Sequence, residues 1–295
     1  MFPQGEQKKG ILYALTAFGI WGFFPVYFKA VGHVAPLEIV CHRIIWSVPL
    51  TALLITIGRA WPVLRAGLKS RRVIGTLLTS ALLVAANWYV FIYAVSTGRV
   101  LEASLGYYIN PLINVLLGLL LLRERLNPRQ LLAVLFAAAG TLNLAVQHGS
   151  VPWISLTLAL SFGLYGFLRK TVAIDALSGL FVETSLLGPL AAGYVIWLGY
   201  QGTVAFGAID GRTTGLLLLA GVLNSTPLLA FTGAARRLPY STVGLCQYLT
   251  PTLHFSLAVF AYQESFTTAH LVTFGFIWTG LAIFITDSLA HQRMH

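Results

Sequence analysis

Arg43 falls about six residues into an apolar run long enough to span a membrane, with His42 beside it. A guanidinium at that depth can bind a carboxylate or phosphate on a solute, pair with an acid, or extend its head toward the lipid headgroups. Glu183 lies 140 residues later, at a similar place in another apolar run, and Glu102 opens a third. One reading is a cation–anion arrangement lining a cavity, with Glu102 and Glu183 as candidates for proton transfer or gating. The other is that Arg43 and Glu183 both sit near headgroups and need not pair.

Amides and aromatic rings supply the rest of the candidate site. One apolar run carries Asn87 and Trp88, the next Tyr107, Tyr108 and Asn110, and a late one Gln247, Tyr248 and His254. On a helix, Tyr107, Asn110 and Asn114 share one face through spacings of three and four. Gln247, Thr250 and His254 take the matching positions 140 residues on. Such a face is too polar for lipid. It either lines a central solute pathway, where Pro111, Pro227 and Pro251 free backbone groups, or joins helices by hydrogen bonds worth roughly 0.6 kcal/mol each. The duplication of the stripe favours the pathway, and Arg43 with these eight residues is its expected lining.

Other chemistry lacks its residues. No P-loop, H-E-x-x-H or Cys-x-x-Cys occurs, so neither ATP-driven pumping nor a metal or other cofactor is expected. Cys41 and Cys246 are two lone thiols in apolar sequence. No serine has a credible base and no intramembrane Asp pair exists, so the chain reads as a carrier rather than an enzyme. An intramembrane enzyme acting on lipid and a passive pore are the rivals.

These residues need elements to position them. The chain has 295 residues, of which 57% are hydrophobic and 9% charged, against roughly 25% charged in soluble domains. That leaves too little polar surface to cover a core in water, so the lipid bilayer is the expected surrounding. A window of about 20 apolar residues finds ten spans, near 11–29, 38–57, 73–95, 101–121, 128–146, 151–169, 178–199, 214–233, 241–262 and 268–287. The longer connections are 58–72 and 200–213. Asn127 and Pro128 form an N-cap and first-turn proline before the fifth span.

The net charge of +10 orients the chain rather than binding nucleic acid. With the N-terminus inside, fifteen of the nineteen Lys and Arg residues fall on the cytoplasmic side. Lys29, Arg99 and Arg212 fall outside, and Arg43 lies within a span. Both termini are then cytoplasmic. Leu105, Tyr108, Pro111, Leu117, Glu124, Leu131, Phe136 and Gly140 recur as Leu245, Tyr248, Pro251, Leu257, Glu264, Leu271, Phe276 and Gly280. An odd number of spans per copy inverts the second copy. The expected fold is an all-α integral membrane protein of ten helices in two inverted five-helix repeats, 1–147 and 148–295. Glu124 and Glu264 end their spans and read as tethers of the following helical hairpins. The expected partners are a small-molecule substrate and the bilayer, with no nucleic acid and no required oligomer.

The run from Glu124 to Leu131, closed by Gly140, resembles the EamA repeat of the drug/metabolite transporter superfamily. The second copy keeps Glu264 and Gly280 but not the proline. Gly19-Ile20-Trp21-Gly22, the stretch Glu38 to Trp46, Asn87-Trp88 and Gly106-Tyr107-Tyr108-Ile109-Asn110-Pro111 resemble the RarD-type proteins, named for chloramphenicol sensitivity. The resemblance implies ten helices, export or exchange of small metabolites, and a pathway between the halves. It implies an inner-membrane location and no particular substrate.

Overall fold

Pro25 divides the first apolar run. Its nitrogen has no hydrogen for the Trp21 carbonyl one turn earlier, and the single span expected over 11–29 becomes two helices. The computed structural model describes residues 4–97, 99–148, 153–261 and 268–293. In it the run forms α1 (Gln4–Gly22) and α2 (Phe24–Ala30), with the break at Phe23. Pro251 accompanies a second break. The expected ninth span is α11 (Tyr240–Gln247), α12 (Leu249–Ser256) and a π-type turn over Leu257–Ala261. The others are α3 (Pro36–Ile57), α4 (Trp61–Gly67), α5 (Arg71–Ser96), α6 (Val100–Leu121), α7 (Pro128–His148), α8 (Trp153–Thr171), α9 (Ala176–Tyr200), α10 (Gly211–Ala235) and α13 (Thr268–Arg293). No strand occurs among the described residues.

The long helices fall on the expected spans. Among the described residues, five stretches are long and apolar enough to cross a bilayer: Gly5–Ala30, Pro36–Ile57, Arg71–Ala94, Ala176–Tyr200 and Gly211–Ala235. Leu105–Leu121 and Leu271–Asp287 are shorter apolar segments. The connection over 58–72 holds α4, whose Leu64 packs with Ile55, Leu77 and Ile174. The 200–213 connection turns at Gly202 and Gly207, both at positive φ, where only glycine is unstrained.

Helix starts follow local chemistry. Asn127 accepts from the Gln130 amide at 2.8 Å and Gln130 returns the bond to the Asn127 amide at 3.2 Å, a reciprocal cap. Asp175 and Asp210 cap α9 and α10 by accepting from Ser178 and Thr213. The Thr213 amide holds the Asp210 carboxyl below its ordinary pKa. Glu124 departs from expectation. Its carboxylate accepts from the Tyr240 amide at 2.5 Å, the Ser241 amide at 2.9 Å and the Ser241 hydroxyl at 2.6 Å. It therefore serves the N-terminus of α11 rather than the hairpin to α7. Glu264 lies outside the described residues.

Packing is reciprocal at the sequence spacing of 140. α7 lies on α13, α3 on α9, and α6 on α11. Each of these pairs joins a segment to its own copy. α5 meets α8 as α1 meets α10, and α10 meets α3 as α5 meets α9. The same exchange holds at atomic detail. A Cβ on Gly140 would lie 2.8 Å from the Thr273 carbonyl oxygen, and one on Gly280 would lie 2.6 Å from that of Ala133. Ala133 and Thr273 are themselves 140 apart, as are Phe136 and Phe276, whose rings meet at 5.9 Å. In lipid, helices approach this closely only through small residues. Gly140→Val and Gly280→Val should each destabilise by about 1–3 kcal/mol through overpacking. Gly275→Ala on the same helix, where nothing lies within 4 Å, should not. Melting temperatures in detergent check both expectations.

Candidate functional site

α3 and α10 approach so closely that only glycine fits at position 221, where a Cβ would lie 2.5 Å from the Trp46 carbonyl carbon. One turn along α10, Asn224 reaches Arg43, whose Nη2 donates to its Oδ1 at 3.0 Å. Asn224 Nδ2 donates to Ser47 Oγ at 3.1 Å, and Ser47 donates to the Arg43 carbonyl at 2.5 Å. This ring of bonds fixes the guanidinium. The Phe24 ring lies 5.5 Å and the Trp88 ring 5.4 Å from its central carbon, within the range of cation–π attraction. Tyr27 and Tyr107 are neighbours of the guanidinium. Arg43 keeps part of its surface open, while its Nε is buried with no hydrogen-bond partner. No described carboxylate pairs with it.

The two expected stripes face each other in antiparallel order. Asn114 Nδ2 donates to Gln247 Oε1 at 2.8 Å, and the Tyr107 ring meets the His254 ring edge-on at 6.0 Å. Asn114 follows Tyr107 by two turns, as His254 follows Gln247. Tyr107 remains 39% exposed although Phe91, His254 and Arg43 surround it. His254 Nε2 sits 3.0 Å from the Trp21 carbonyl, the group that Pro25 leaves without its helical donor. A carbonyl only accepts, so this nitrogen carries the proton. Thr250 likewise donates to the Phe18 carbonyl at 3.0 Å.

The structure thus gathers Arg43, Trp88, Tyr107 and His254. It places the other expected residues elsewhere. Asn87 donates to the Leu158 carbonyl and Ser161 hydroxyl, both at 2.9 Å. Asn110 donates to the Ala159 carbonyl at 2.7 Å, and Gln247 holds Asn114. Tyr108 and Tyr248 turn toward α7 and α13. The Tyr248 hydroxyl donates to the Tyr108 carbonyl at 3.2 Å, and the Tyr108 ring meets Phe274 at 5.9 Å. The side chain of Glu102 lies outside the described residues. Glu183 does not meet Arg43. It is 2% exposed, 3.7 Å from the Nε of Arg169, which is 1% exposed. The Ser80 and Tyr165 hydroxyls also donate to it.

His42 turns away from its neighbour. Its Nδ1 accepts from Trp46, and its ring stacks on Phe206 at 4.8 Å. Its Nε2 lies 3.8 Å from Glu38, which accepts from the Ala205 and Phe206 amides. Asn224, Phe24 and Tyr27 join the site although sequence reasoning did not select them. Asn224 is recognisable as the amide in α10 that a buried guanidinium requires. Phe24 and Tyr27 carried no such signal. Among the described residues no three His, Cys, Asp or Glu side chains converge to hold a metal ion.

The sequence profile of the EamA-like transporter family matches residues 8–146. An "uncharacterized transporter" of Vibrio cholerae is 49% identical over 97% of this chain and 95% of its own. The chain belongs to the EamA-like transporter family. Protein RarD of Salmonella typhi is 45% identical, over 98% of each chain. That of Escherichia coli K12 is 43% identical, over 98% of this chain and 97% of its own. A solved structure titled "Crystal structure of protein" superposes with a TM-score of 0.73 over 98% of this chain and 99% of its own, at 18% identity. It shows the same fold. The family and its bacterial relatives, with the apolar helices, make this a multi-pass inner-membrane protein and a membrane transporter of the drug/metabolite class.

The Trp21 carbonyl gives a direct check. His254→Ala strips it of its donor and should cost about 1–3 kcal/mol. Pro25→Ala restores a helical amide, so the double variant should melt above the sum of the two single effects.

Proposed function

We propose that the protein is a secondary carrier that moves a small solute by alternating access. Its halves are 1–147 and 148–295, inverted relative to each other, with ten spans and cytoplasmic termini. The reciprocal contacts of Gly140 and Gly280 and the antiparallel stripes support this arrangement. The solute binds between the halves at Arg43, with Phe24, Trp88, Tyr107, Asn224 and His254 around it. Asn87, Asn110, Gln247, Tyr108 and Tyr248 hold the helices that form the wall. The observation that carries the reading is a guanidinium at membrane depth, held by Asn224 of a second helix and bonded to no described carboxylate.

Glu183 and Arg169 act as the closing contact at the opposite end. Glu183 aligns with Arg43 through the spacing of 140, yet Glu183 and Arg169 are fully packed. One end open and the other sealed is the asymmetry that alternating access requires. Rocking the halves then exchanges the two conditions.

Thermal-shift screening of the purified protein against metabolite pools identifies a ligand of the folded state. Counterflow of that ligand in proteoliposomes separates a carrier from a pore, which gives none, and from an enzyme, which gives product without net movement. Arg43→Gln should reduce counterflow more than tenfold, whereas Tyr248→Phe should change it less than twofold. In a second test, Glu183→Gln leaves Arg169 buried without its counter-ion. Breaking such a pair costs about 3–5 kcal/mol, so the sealed state should lose population. Labelling of an engineered cysteine near Ser80 should rise, and apparent ligand affinity should fall with the population of the state that holds the Arg43 site open.

A further inference from the structure

We infer that the solute is an organic monoanion with a flat apolar body and no ammonium group, for example an arylcarboxylate. This rests on the carrier reading and names the chemistry of its site.

The first ground is charge. Nine acidic residues occur in the chain. Glu38, Glu124, Asp175 and Asp210 hold backbone amides at loop and helix ends. Glu6 pairs with Lys9 and Arg237, Asp287 holds Asn127, and Glu183 pairs with Arg169. None of these seven reaches Arg43, and the side chains of Glu102 and Glu264 lie outside the described residues. Among the described residues, then, nothing neutralises the charge of Arg43, and in this proposal the occupant does so. A guanidinium binds a carboxylate through two parallel N–H bonds, and Arg43 gives Asn224 only one of its five.

The second ground is shape. Phe24 and Trp88 present ring faces to the guanidinium, and the Tyr107 and His254 rings stand edge-on to each other beside it. A planar body stacked among these rings gains contact and loses little water. The third ground is what the site lacks. An α-ammonium would be desolvated next to Arg43, with no described carboxylate to receive it. A single cation also suits a monoanion better than a doubly charged phosphate.

The test is the melting temperature and affinity of purified protein with phenylacetate, phenylalanine, phenethylamine, phenyl phosphate and acetate. These share either the ring or the carboxylate. Phenylacetate should stabilise the protein and bind at least tenfold more tightly than each of the others. Asn224→Asp places a carboxylate of the same shape against Arg43. It should raise the melting temperature of the empty protein and abolish the response to phenylacetate. Equal or tighter binding of phenylalanine or phenethylamine overturns the inference. So does preferred binding of phenyl phosphate, an Asn224→Asp protein that still binds phenylacetate, or no response to any arylcarboxylate. Phenylacetate binding without counterflow leaves the substrate class standing and removes the carrier. Counterflow of a cationic or zwitterionic solute does the reverse.

Discussion

A guanidinium inside a membrane has to be answered, and around Arg43 the protein answers it only in part. Asn224 takes one N–H and two rings take its faces. Full neutralisation by an internal carboxylate would have closed the site as it closed Arg169 with Glu183. The contrast between these two arginines organises the molecule. One is buried beside an acid that also accepts from two hydroxyls; the other is held in place and left short of charge. A membrane protein can leave a cation in that condition only where water or a ligand reaches it.

The second constraint is the backbone. Every proline inside a span leaves a carbonyl without its usual donor, and lipid offers none. At Pro25 the missing bond is replaced from another helix, by His254. The broken helices therefore carry polar side chains that hold the breaks together. His254 does two things at once, closing the break in α1 and placing its ring against Tyr107. Alignment of the two stripes brings α6 against α11 and the Tyr107 ring against His254 of α12.

Much of this was legible in the chain. Apolar length located the long helices, because helices in lipid must be about as long as the bilayer is thick. Asn127 and Pro128 marked a helix start because capping is local. The repeat paired Gly140 with Gly280, and the structure makes each of them a close crossing. What could not be read was which way each side chain turns. Tyr107 and Tyr108 are adjacent and equally aromatic, yet one faces Arg43 and the other Phe274. Asn87 and Trp88 part in the same way. Helical periodicity names the faces, but neighbouring helices decide which face meets the pathway. The partners of Glu124 and Glu183 are distant in sequence, so no local pattern announced them. Asn224 was visible as a polar residue and became interpretable only once Gly221 brought α10 against α3.

The central claim is that the surroundings of Arg43 open to one side of the membrane and then to the other. Side-specific thiol labelling tests it most directly. Tyr107→Cys, in a chain with Cys41 and Cys246 replaced by alanine, would be exposed to a membrane-impermeant reagent in right-side-out and inside-out vesicles. The account predicts labelling from both sides and protection by a bound solute. Labelling from one side only, under every condition that supports transport, would contradict it.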